Sequence, residues 1–452
     1  MPSASINHSD NDPSAFHYES INGMPVSKFP FPEGRTVDDI LAQYAHVDPF
    51  AIVAKDLSSF SDSVTQVVHS EHPLMEQVAR YVLDAKGKRF RPTVVLLMSR
   101  ALGTPTNPLP VSDANVNGDN AHTDSIDTPL TPGLAPLSSS SASNPFSSIL
   151  SYVSPNTIGK QSDTNYSEIE STEVFTTTAS ALADIPISTA FERQQRLSEI
   201  TELIHVASLY HDDVVDEATT RRNRPSANVV YGNRMAVYGG VFLLSRASCL
   251  LCKLQNHRVT ALIATVMDQL VKGEVLQMKD KRANVQGQLH SNLTAYITKT
   301  YYKTASLIAN ACRASAILGG HGEMEQTIAY EYGKFLGIAF QVVDDILDFT
   351  SSSEELGKPS MNDLRQGIAT APVLYAAEEY PELYEMIERK FNKPGDVETA
   401  VELIHKARGL EKTRELAVAC CANALAAVMQ LPESDARAAL IRLVHKVLYR
   451  KK

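Results

Sequence analysis

The sequence is short of positive charge, of cysteine and of long apolar runs. Its 452 residues carry 42 Lys and Arg against 52 Asp and Glu, a formal net charge of −10. That balance excludes a general affinity for nucleic acid or anionic lipid, so basic residues must act locally. Five cysteines, an odd number, give no disulfide framework and argue for reducing surroundings. Cys249 and Cys252 stand at C-x-x-C spacing, but inside the apolar run "SCLLCKL" and with no second pair at zinc-ligand spacing, so buried thiols are expected. No apolar run reaches the roughly eighteen residues that a bilayer crossing needs, so no transmembrane segment is expected. Asp10, Asp12 and Glu19 all precede Lys28, the first Lys or Arg, whereas an organellar presequence is basic and poor in acids.

Strand-like alternation and fixed-period repeats are also missing. What remains is helical periodicity, and the class is all-α. Residues 1 to about 45 are polar and rich in Ser, Pro and Asp, and read as a mobile tail ahead of a domain spanning 46–452. "DPFAIVAKDLSSFSDSVTQVV" is amphipathic at helical period, and helix continues through "HPLMEQVARYVLDA" and "TVVLLMSRAL". Between about 104 and 187 Ser, Thr, Pro and Asn dominate, and Lys160 is the sole Lys or Arg between Ala101 and Ala190; this reads as a disordered surface insert.

The stretch "HVASLYHDDVVDEATTRRNRPS" carries the chemistry. Asp212 and Asp216 at i,i+4 share one helical face, with Asp213 about 100° around. Asp344, Asp345 and Asp348 in "FQVVDDILDFT" repeat the pattern. Both sets interrupt apolar helix, which a solvated charged face does not do. Magnesium takes oxygen ligands, usually one or two carboxylates together with substrate phosphates, so two such clusters suggest a diphosphate held through bridging ions. Cations answer them: Arg221 and Arg222, Lys303 beside Thr304, and Lys358. A separate group, Lys86, Lys88, Arg89 and Arg91 in "AKGKRFRP", sits at a turn broken by Gly87 and suits a second, metal-free diphosphate. Two diphosphates imply two substrates.

Together "GKRFRP", "HDDVVD" with "RRNRPS", "GEVLQ", "YYKTASL", "FQVVDDILD" and "LGKPSMNDLRQGIATAPVLYA" resemble the trans-isoprenyl diphosphate synthases, in the family's order and from Asp48 to the C-terminus. The resemblance is greatest to the fungal long-chain polyprenyl synthases of ubiquinone side chains. It implies an isoprenoid synthase fold, a single helical bundle around a deep cavity, a homodimer, and head-to-tail condensation of isopentenyl diphosphate with an allylic diphosphate. It further implies a mitochondrial setting, although the N-terminal composition leaves the cytosol open, and peripheral membrane contact at product release.

By the same resemblance Lys88, Arg91, His205 and Arg222 hold isopentenyl diphosphate. Arg221, Lys303, Thr304, Gln341 and Lys358 hold the allylic diphosphate, and Asp212, Asp216, Lys303 and Asp344 carry catalysis. Two to three magnesium ions are expected among Asp212, Asp216, Asp344, Asp345 and Asp348. Two departures stand out: "GGVFLL" places Val241 where relatives have an acid, and Asn223 replaces Gly or Ser. A short-chain geranylgeranyl or farnesyl synthase, a paralogue serving secondary metabolism, and a non-catalytic partner subunit are the alternatives. Ala207 and Ser208, one turn before Asp212, are small, which predicts a channel open to products of about thirty carbons or more, with Tyr210 turned away from it.

Overall fold

The computed structural model describes residues 20–21, 24–25, 27–84, 89–105, 189–222, 224–279, 289–350 and 361–451. A two-residue pair, β1 (Ser20–Ile21) with β2 (Met24–Pro25), precedes α1 (Val37–Gln43), α2 (Pro49–Ile52), α3 (Ala54–Ser58), α4 (Phe60–Val67), α5 (Pro73–Leu83) and α6 (Phe90–Leu102). Next come α7 (Ala190–Val215), the hairpin β3 (Thr220–Arg221) with β4 (Arg224–Pro225), α8 (Ala227–Tyr231), α9 (Asn233–Lys253), α10 (His257–Lys279), α11 (Leu289–Thr300) and a π turn at Tyr301–Ala305. The last are α12 (Ser306–Leu318), α13 (Glu323–Thr350), α14 (Asn362–Arg365), α15 (Ala371–Glu379), α16 (Glu382–Glu388), α17 (Asp396–Lys406), α18 (Gly409–Val428) and α19 (Asp435–Leu448). The all-α class holds. From residue 106 to 188 the Ser/Thr-rich insert lies outside the described residues.

Three expectations change. The tail does not extend to residue 45, because a capping box at Thr36 and Asp39 starts α1, and Ile40 and Leu41 enter the core. The stretch from Asp48 is three short helices instead of one. It breaks at Val53 (φ −107°, ψ 11°) and at Ser59, just after Ser58, whose hydroxyl donates to the Lys55 carbonyl at 2.6 Å. Finally, α9 is long and apolar enough to cross a bilayer, with mean hydropathy 1.6 over its richest stretch, yet it packs along α7 with 44% of that stretch buried. On α9 Leu250 and Leu251 take the inner face, so Cys249 and Cys252, three positions apart, share the outer one and are exposed.

One core joins α1, α6, α11 to α13, α18 and α19, and a smaller one binds α15, α16 and α17. Each fully buried Leu, Ile or Phe contributes about 1.5–3 kcal/mol. Gly337 allows a close approach: a Cβ there would lie 2.6 Å from the Ala305 Cα. That contact presses α13 onto the π turn. At the other end of the bundle, Thr189 accepts the Glu192 N–H at 3.1 Å while Glu192 accepts the Thr189 N–H at 2.9 Å, a reciprocal cap that starts the 26 residues of α7.

Candidate active site

One face of α7 presents Glu202, His205, Ser208, Leu209, Asp212 and Asp216 to a cavity of about 1270 Å³, and α13 presents Phe340, Gln341, Asp344 and Asp345 to the same space. Spacings of three and four residues keep the α7 set on one stripe. Asp213, one step around the helix, leaves it: fully buried, it accepts from Arg221 Nε at 2.9 Å and so anchors the β3 arginine at the rim. Arg222 follows with φ 53°, a left-handed backbone that turns the two side chains apart.

Burial pushes the Asp212 carboxyl up to about 7; the charges of Glu274 and Asp216 add to this, while Lys303 and Arg221 oppose it. Crowded carboxylates short of counter-charge are the setting that a divalent cation relieves, so the donor set fits magnesium. On the facing wall Asp344 lines the cavity with one of its oxygens paired. Its present partner is Arg450, at 3.1 Å. Asp345 is spoken for: the Tyr296 hydroxyl donates to one oxygen at 2.6 Å and Gln341 Nε2 to the other at 2.9 Å, and burial raises its carboxyl to about 6. Asp348 is buried, accepts the Asp363 N–H at 3.1 Å, and does not line the cavity. Of the five carboxylates expected to hold metal, Asp212, Asp216 and Asp344 line the cavity without being claimed by Tyr296, Gln341 or the Asp363 N–H. Among the described residues no three such groups already converge on a point.

The π turn places the cation between the walls. A π turn carries one extra residue per turn, which swings its side chains off the regular helical stripe. Lys303 Nζ lies 2.7 Å from Glu274 and donates to Gln277 at 2.9 Å. Its stem runs over Gly273, where a Cβ would stand 2.7 Å from Lys303 Cγ. Thr304 donates to Gln341 at 2.9 Å, so Thr304, Gln341 and Asp345 form a hydrogen-bonded line across to α11.

Below the aspartates, Arg91, Arg222, His205 and Glu202 share the cavity wall. Burial, then the charges of Arg91, Arg222 and Arg221, hold His205 well below its ordinary value, so it is neutral near pH 7. Burial also brings the Arg91 guanidinium down to about 10 and raises Glu202, against the pull of Arg91, Arg222 and Arg89. Arg89, at φ 45°, spends its guanidinium on Ser61 and the Leu57 carbonyl. Lys88, Lys358 and Asn223 lie outside the described residues. Ser208 lines the cavity; Ala207 is fully buried and does not reach it. Tyr210 turns to α5, where it bonds the Val78 carbonyl and accepts the Val82 N–H at 3.3 Å. Val241 is half-exposed on the outer face of α9, away from the cavity lining.

Sequence reasoning passed over Glu202, Glu274, Gln277 and Tyr296. Glu274 and Gln277 had a visible signal in "GEVLQ", three apart on α10; Tyr296 had none, since its partner stands 49 positions away.

An all-helical bundle whose two aspartate-bearing helices face each other across a cation-ringed cavity defines a prenyltransferase of the polyprenyl synthase class. The chain belongs to the polyprenyl synthetase family, whose model matches residues 172–404. It is 40% identical over 419 residues to the probable mitochondrial hexaprenyl pyrophosphate synthase of Yarrowia lipolytica, covering 90% of this chain and 85% of that one. It is also 40% identical over 413 residues to solanesyl-diphosphate synthase 1 of Oryza sativa subsp. japonica, covering 90% and 79%. A polyprenyl synthase from Caulobacter crescentus, crystallised with calcium and isoprenyl diphosphate, shares the fold with a TM-score of 0.65 at 25% identity, over 94% of this chain and 100% of that one. Magnesium is the metal of this family.

Proposed function

We propose that the protein is a trans-polyprenyl diphosphate synthase that lengthens an allylic diphosphate with isopentenyl diphosphate to about thirty carbons or more, supplying a quinone side chain. The observation that carries this is the pairing of Asp212 and Asp216 with Asp344 across one cavity, with Arg91, Arg222 and His205 on the same wall below. Two or three magnesium ions on those three aspartates would neutralise charge on the leaving diphosphate. Lys303 and Arg221, held by Glu274, Gln277 and Asp213, aim positive charge at the same diphosphate. Arg91 and Arg222, together with Lys88, orient the second diphosphate. Neutral His205 offers that diphosphate an N–H without adding charge. The allylic C–O bond breaks with its electrons leaving on diphosphate, the isopentenyl double bond forms the new C–C bond, and loss of a proton restores a double bond. Apolar walls such as Phe90, Phe340 and Leu209 keep water from the allylic cation.

The outer faces of α8 to α10 support a homodimer. Val229, Val230, Val237, Tyr238, Val241, Val271 and Val275 are exposed there, and between Arg234 and Lys253 the exposed positions of α9 carry no charge. Val241 in place of an acid extends this apolar face.

Purified protein incubated with labelled isopentenyl diphosphate, farnesyl or geranylgeranyl diphosphate and magnesium tests the reading. Dephosphorylated products of thirty carbons or more, by chromatographic sizing, are expected. Products that stop at geranylgeranyl length would assign a short-chain synthase instead.

A further inference from the structure

The C-terminal helix forms a third wall of the cavity, and one of its residues has no counterpart in the site described so far. Arg442, Lys446 and Arg450 follow one another at four-residue spacing, from α19 to just past its end, and all three line the cavity. Two are accounted for. Lys446 stands over the Phe50 ring at 5.7 Å, and Arg450 lies 3.9 Å over Phe340, donates to the Phe340 carbonyl at 2.7 Å and pairs with Asp344.

Arg442 differs. Its Nε and Nη1 are both buried and both lack a hydrogen-bond acceptor. Single orphaned Nε atoms occur at Arg80, Arg91, Arg246, Arg437 and Arg450, but among the described residues Arg442 is the one arginine with two. A buried charged donor without an acceptor is costly, more so for a planar fork that can make two parallel bonds at once. Arg442 stands mid-helix, outside the last turn that holds His445 and Lys446, so the helix dipole does not account for a buried charge there. The acceptor must come from the cavity, and a guanidinium fork matches the paired oxygens of a phosphate.

We propose that Arg442 is a further substrate-binding residue, closing on the diphosphate of isopentenyl diphosphate from the C-terminal wall. This rests on the prenyl transfer proposed above. Of the two diphosphates, the isopentenyl one fits better, because the α19 wall packs on α6, whose first turn supplies Arg91, and Arg91 Nε is likewise buried without an acceptor. Asp344, on the allylic side, is already served by Arg450, two turns further on.

The test is Arg442→Met, with Arg442→Lys as the conservative companion, both in the full chain. In the methionine variant the KM for isopentenyl diphosphate rises about tenfold or more, as loss of a charge-assisted pair of bonds requires. The KM for the allylic substrate moves less than threefold, and the stabilising thermal shift caused by inorganic diphosphate without metal shrinks. Its ligand-free melting temperature stays level or rises, since an unmatched buried charge has gone. The lysine variant, charged but without the fork, falls between the two. Unchanged KM values with a lower melting temperature in both variants would make Arg442 a packing residue and overturn the inference. A rise confined to the allylic KM would overturn its assignment to isopentenyl diphosphate. If the wild type itself forms no product, it is the prenyl-transfer reading that fails, whatever the variants show.

Discussion

Asp212 and Asp213 are neighbours in sequence, but 100° of helix rotation sends one to the cavity and the other to Arg221. Their substitutions should therefore differ in kind. Asp212→Asn removes a crowded carboxylate, so we expect condensation to fall by about a thousandfold or more with no loss of melting temperature. Asp213→Asn leaves Arg221 without its buried partner, and it should cost up to about 3–5 kcal/mol while raising the allylic KM. Thermal unfolding with steady-state kinetics on both variants checks this; an Asp212→Asn enzyme with normal turnover would defeat the metal reading. The same rotation explains what the sequence could show. Period and apolar context point to both aspartate clusters, but they do not separate Asp344 from Asp345 and Asp348, because Tyr296, Gln341 and the Asp363 N–H that claim the last two are tertiary neighbours. The expectation for chain length divides between Ala207 and Ser208 for a related reason. Ser208 faces the cavity and Ala207 the core. Ser208→Phe should shorten products by at least one isoprene unit in a folded enzyme, whereas Ala207→Phe should overpack the core by about 1–3 kcal/mol. Sizing the alcohols alongside melting curves decides between them.

At the scale of elements, the approach of α13 to the π turn determines whether Gln341 meets Thr304. Gly337→Ala puts a methyl 2.6 Å from the Ala305 Cα, so helix or turn must shift. The expected result is a loss of about 1–3 kcal/mol together with a higher KM for the allylic substrate; an unchanged KM would show that the Thr304 line plays no part in binding. Helices of regular period were legible: α7 and α13 fall where the apolar spacing puts them. The π turn was not, because one extra residue inside "YYKTASL" leaves no trace in that spacing. Nor were the breaks at Val53 and at Ser59, the second just after Ser58, whose hydroxyl bonds back to the Lys55 carbonyl. The C-x-x-C pair misled for the opposite reason. Apolar flanks suggested burial, and the helix turned those flanks inward and the thiols outward.

For the whole molecule, the exposed apolar residues of α8 to α10, with no exposed charge between Arg234 and Lys253 on α9, predict a two-copy assembly. Val237→Asp should convert it to monomers at micromolar concentration, read by sedimentation, because it buries a charge without a partner; a dimer that persists would place the interface elsewhere. Replacing residues 106–185 with a short linker should leave turnover within about twofold, since lengthening or shortening a loop changes its closure entropy little. Loss of soluble protein would instead make the segment structural. The reciprocal cap at Thr189 and Glu192 takes this further. The aspartate-bearing helix, about 39 Å long, obtains its first turn from its own residues and its position from packing on α6 and α9. Nothing in that arrangement asks for an unbroken peptide between Gly103 and Thr189. Two polypeptides, one ending after α6 and the other beginning just ahead of Thr189, should find each other when co-expressed and assemble into a working synthase.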